Sequence, residues 1–73
     1  MKTRLLRKLR KEAREKYYVV KLHNLYYVMV NVQGEIYKVT SYPQVWSDAK
    51  RICDMKRDGY IRQEANDRYK RVY

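Results

Sequence analysis

Residues 17 to 40, YYVVKLHNLYYVMVNVQGEIYKVT, constrain most tightly what this chain can fold into. Three runs rich in valine, isoleucine and tyrosine are separated by the dipeptides His23-Asn24 and Gln33-Gly34. Such residues suit a pleated, half-buried strand, and Asn24 and Gly34 tolerate the positive φ that two-residue hairpin loops demand. The stretch therefore predicts a three-stranded antiparallel meander.

Two-residue loops also fix the register, because Leu22 must then face Leu25 and Val32 must face Glu35. Successive side chains point to opposite sides of a strand, so two faces follow. The first carries Tyr17, Val19, Lys21, Tyr26, Val28, Val30, Val32, Glu35, Tyr37 and Val39, and its valine centre is the expected core. The second carries Tyr18, Val20, Leu22, Leu25, Tyr27, Met29, Asn31, Ile36, Lys38 and Thr40. Either a helix covers that second face, or it stays open with Tyr18, Tyr27, Met29 and Lys38 as candidate stacking or interface residues. Tyrosine is also an ordinary strand residue that keeps its hydroxyl at the surface, and with no phenylalanine in the chain it fills the aromatic role by default.

The flanking segments have helical spacing. Residues 3 to 16, TRLLRKLRKEAREK, lack glycine and proline, and Leu5, Leu6, Leu9 and Ala13 recur on one side behind Thr3 as the N-cap. The rest of this helix is a wide basic face of Arg4, Arg7, Lys8, Arg10, Lys11 and Arg14. Residues 1 to 16 hold eight basic and two acidic side chains, more than half of the chain's net charge of +10. A second helix is expected over residues 43 to 58, with Pro43 as its first residue and Ser41 or Tyr42 as its cap. Val45, Trp46, Ala49, Ile52, Cys53 and Lys56 form its stripe, and Trp46 is its expected anchor, worth roughly 3 to 5 kcal/mol if buried. Gly59 reads as the residue that ends it, and Ile61, Ala65, Tyr69 and Val72 predict a short third helix over residues 60 to 72.

The expected fold is thus α+β over residues 1 to 73 as one small domain. It comprises an N-terminal basic helix, the antiparallel meander, an amphipathic helix packed on the sheet, and a short C-terminal helix.

Several functions find no support in the residues. One cysteine, Cys53, forms no internal disulfide, which points to a reducing cytoplasm, and with a single histidine it has no zinc-ligand spacing. No nucleophile with a base, metal set or phosphate loop is visible, so neither an enzyme nor a cofactor is expected. Asp48, Asp54 and Asp58 interleave with cations as surface ion pairs do. No apolar run spans a bilayer, and the leucine stripe of residues 3 to 16 is too narrow for strong binding to a membrane surface.

The order helix, three-stranded meander, helix is also that of double-stranded-RNA-binding domains. That family's lysine-rich helix start and long first hairpin loop are missing, since His23-Asn24 is too short to reach into a minor groove. The opening MKTRLLRKLRK, followed by a tyrosine-rich meander, resembles small basic accessory proteins of tailed bacteriophages and of gut bacteria of the Bacteroides type. That resemblance implies a partner that is nucleic acid or a virion component, and it supplies no catalytic residues.

The charge leads to the first functional expectation. It is a non-enzymatic nucleic-acid-binding protein with little base specificity, DNA or RNA being held through phosphates by the N-terminal cations, with Lys50, Arg51 and Arg57 extending the surface. The alternative is an interaction or structural module, self-associating or docked on a virion protein through its exposed tyrosine-rich sheet face or edge.

Overall fold

The computed structural model describes residues 3 to 71, with side chains from Arg4 to Arg68. The chain runs α1 (Thr3–Lys16), β1 (Tyr17–Leu22), β2 (Leu25–Val32), β3 (Glu35–Lys38) and α2 (Trp46–Arg71), an α+β arrangement. The strands form an antiparallel sheet in the order β1-β2-β3. Leu22 pairs with Leu25, Val19 with Val28 and Val32 with Glu35, the register that the two-residue loops require. All four loop residues have positive φ: His23 at 52°, Asn24 at 66°, Gln33 at 52° and Gly34 at 88°. Two consecutive left-handed residues give a turn whose twist matches that of the flanking strands. Asn31 tightens the second loop, its Oδ1 accepting from the Gly34 amide at 2.9 Å.

Beyond Lys38 the third row of the sheet continues. The Val39 amide donates to the Val28 carbonyl at 2.8 Å, and the Thr40 hydroxyl accepts from the Val28 amide at 3.3 Å. Gln44 then exchanges both backbone hydrogen bonds with Tyr26, at 2.8 and 2.7 Å. This corrects the expected helix start at Pro43. Ser41, Tyr42 and Pro43 are looped out between two paired stretches, and α2 begins at Trp46, with the Ala49 amide bonded to the Val45 carbonyl at 3.0 Å. The physical reason is that Tyr26 would otherwise leave a backbone donor and acceptor unpaired, and Gln44 satisfies both only while extended.

The first half of α2 lies on the inner face of the sheet. Val28, Ala49 and Cys53 are its buried centre, with Tyr17, Val19, Tyr26, Val39 and Ile52 packed around them. Trp46 and Val45 depart from expectation, for they are 52% and 55% exposed. Trp46 rests its ring against Tyr26, with centroids 5.3 Å apart, at the rim of the core rather than inside it. Helix packing is set by the small residues Ala49 and Cys53, which let α2 sit close and leave the indole at the margin.

A second correction concerns Gly59, which lies inside one continuous helix of 26 residues rather than between two. Its φ is not positive, so it does not terminate the helix in the left-handed conformation. Glycine costs about 1 kcal/mol within a helix, less than the distal half of α2 gains by packing on α1. Leu9, Ala13 and Ala65 are buried in that helix–helix contact. Successive helical residues advance about 100°, which sets the sheet-facing side of α2 (Ala49, Ile52, Cys53) and its α1-facing side (Ile61, Ala65, Arg68) roughly 130° apart around the axis. The apolar stripe therefore changes phase near Gly59, and in the sequence it imitates a break. Of the expected third-helix stripe, the side chain of Tyr69 and all of Val72 lie outside the described residues. The leucine side of α1 packs chiefly on α2.

Candidate nucleic-acid interface

The residues expected to contact phosphate occupy one side of α1. Arg4, Arg7, Lys8, Arg10, Lys11 and Arg14 are all exposed. At about 100° per residue they fall within an arc of roughly 160° centred opposite the fully buried Leu9. Leu9 and Ala13 turn that arc outward by fixing the opposite side of α1 against α2. Among the described residues, none of these six cations has an ion-pair partner. The exposed Glu15 is the one acidic residue within the arc.

The other acidic residue of α1, Glu12, lies on the flank that meets α2. Arg68 donates to it in a two-pronged arrangement, Nη1 to Oε2 at 3.2 Å and Nη2 to Oε1 at 2.5 Å, while the Tyr60 hydroxyl donates to Oε1 at 2.9 Å. The paired Arg68 guanidinium, acting against the cost of burial, holds the Glu12 carboxyl below its ordinary range. Burial first, and then the hydrogen bond to Glu12, pushes Tyr60 up to about 12. Lys16 adds its ammonium 5.5 Å from the Tyr60 ring centroid. This cluster draws the carboxylate away from the outer arc and clamps α1 onto α2. Sequence reasoning missed it, since Glu12 lies 48 and 56 residues from its partners and no local spacing announces the contact.

The three α2 cations expected to extend the surface are engaged differently. Lys50 pairs with Asp54 at 3.2 Å and Arg51 with Asp48 at 3.4 Å, both exposed. Arg57 is half-buried and donates from Nε to the Tyr17 carbonyl at 2.8 Å, fixing the point where α1 passes into β1. Uncompensated charge is therefore concentrated on α1.

The second candidate set is also brought together. Tyr18, Met29 and Lys38 form one row across the outer face, with Tyr27 beside them. Lys38 Nζ lies 4.5 Å from the Tyr27 ring centroid, so the ring face that a base would stack on already carries a cation. Among the described residues, those of this face are half-buried or exposed, and none belongs to the core.

Buried Cys53 is held by the core, and burial pushes its thiol up, away from the reactive thiolate. An open groove of about 610 Å³ runs along α2 past Tyr17, Met55, Gly59 and Tyr60, with Lys56, Gln63, Glu64 and Asp67 also on its lining. Among the described residues there is no cluster of three metal-ligating side chains, and no helix is long and apolar enough to cross a membrane. In comparisons with known proteins, the chain matches no family model, no curated protein and no solved structure.

Proposed function

We propose that this chain binds nucleic acid through the phosphate backbone, with α1 as the contact element and little discrimination among bases. The observation that carries this is the uncompensated arc of Arg4, Arg7, Lys8, Arg10, Lys11 and Arg14, turned outward by the burial of Leu9. A surface selected only for solubility mixes both signs, whereas here six cations share the arc with a single carboxylate, Glu15, and Glu12 is drawn to the flank by Arg68. Arginine and lysine side chains spread over about 15 Å of helix match the closely spaced phosphates of a nucleic-acid strand, and releasing their counterions drives binding. The resemblance of the opening segment to phage accessory proteins points the same way.

Binding to duplex DNA, single-stranded DNA and duplex RNA should be measured by fluorescence anisotropy across a salt series. If all six cations contact phosphate, log K should fall against log salt with a slope of about −5 on duplex DNA. Each neutralisation, such as Arg7→Gln or Arg10→Gln, should reduce the slope by about 1. Absence of binding at low salt, or a slope unchanged by these substitutions, would overturn the proposal.

A further inference from the structure

An antiparallel sheet with one face in water alternates apolar and polar side chains; this one does not. The inner face is covered by α2, yet the outer face carries Val20, Leu22, Leu25, Tyr27, Met29 and Ile36. Val20 is 39% exposed, Leu22 51%, Leu25 40% and Ile36 55%. Lys38 is the one charged residue there, and its ammonium already sits over Tyr27. In a chain whose charged residues make up 36% and whose net charge is +10, so neutral a face is the exception on the surface.

We propose that the outer sheet face is a self-association surface, on which a second copy of this chain packs its own outer face to make a six-stranded sandwich with the helices outside. Three observations select this occupant. Among the described residues both helices are already seated, α2 on the inner face and α1 on α2, so neither is free to fold over the outer face. The face has no charge pattern that would choose an acidic or basic partner, and with Lys38 as its single charged residue it lets two copies of a cation meet with little repulsion. Its size fits a weak contact only. Three strands about 4.8 Å apart and about 20 Å long present roughly 300 Å² in plan, and two such faces, roughly 600 Å² together, fall below standard specific interfaces, so the dimer is weak and concentration-dependent.

Aligned packing also lets the row Tyr18, Met29, Lys38 meet its own copy in reverse order, with Lys38 over the partner's tyrosine edge rather than over the partner's lysine. The association is independent of the phosphate-binding arc, which lies on α1.

Sedimentation equilibrium from micromolar to millimolar protein, in enough salt to screen the net charge, tests the proposal. The weight-average mass should rise from 9.1 kDa toward twice that value. Val20→Lys and Ile36→Lys should hold the protein monomeric, with far-UV circular dichroism unchanged because both side chains are exposed. Met55→Lys, on the exposed side of α2, should leave the dimer intact. A monomer throughout the range would overturn the proposal, as would a dimer that persists in Val20→Lys and Ile36→Lys or is lost in Met55→Lys.

Discussion

Replacing Gly59 by alanine distinguishes one long helix from two short ones by the sign of a single measurement. The residue lies in the helix interior with φ that is not positive, and a Cβ built there meets no atom within 4 Å. Alanine therefore adds no clash, loses no contact and restricts the unfolded chain, for a gain of about 0.8 kcal/mol. Were Gly59 instead a left-handed cap between two helices, the same methyl would be strained against the backbone and cost about 1 to 2 kcal/mol. For a domain of this size, a gain of about 0.8 kcal/mol raises the thermal midpoint by roughly 3 to 6 °C. It also moves the urea midpoint up by roughly half a molar or more. Both are read by far-UV circular dichroism. A midpoint that falls in Gly59→Ala would refute the continuity of α2 and, with it, the placement of α1.

Two further outcomes follow from the packing. Leu9→Ala, which empties a fully buried site, should cost about 2 to 5 kcal/mol, whereas Trp46→Ala, at a half-exposed site, should cost about half the value for a buried tryptophan; urea titrations that reverse this order would contradict the core described above. The lowered Glu12 pKa makes the folded state bind fewer protons than the unfolded one, so its stabilisation is present above the ordinary carboxylate value and lost as pH falls through the folded value. Wild type should therefore lose stability below about pH 4.3 more steeply than Glu12→Gln, and parallel curves for the two proteins would remove the ion pair from the account.

The meander was legible in the sequence because its information is local. Dipeptides that accept positive φ fix the loop length, loop length fixes register, and register fixes which side chains share a face. Val19 and Val28 came out opposed on the inner face by that route alone. Residues 3 to 16 were equally plain, since an uninterrupted helical stretch with one apolar stripe has few alternatives. What the sequence hid was decided by contacts between distant segments. Gln44 is extended only because Tyr26 needs a partner. Gly59 stays helical only because α1 supplies a second surface for α2 to pack on, and the phase change between the two stripes was read as a boundary. Trp46 belongs to the helical stripe and is its largest member, yet a helix drawn close by Ala49 and Cys53 leaves the indole half-exposed at the rim. The cations of α1 are plain in the sequence, but whether each is free or paired depends on partners outside the local pattern.

Because α2 is a single rod gripped in one sector by the sheet and in another by α1, it acts as an axle between them. The angle between those sectors is fixed by the number of residues between Cys53 and Ala65, and an α-helix resists twisting. One residue inserted near Gly59 would swing α1 about 100° around α2, and one deleted would swing it as far the other way. Leu9 and Ala13 turn the six cations away from α2, but the direction they then face relative to the sheet is encoded in a residue count elsewhere in the chain.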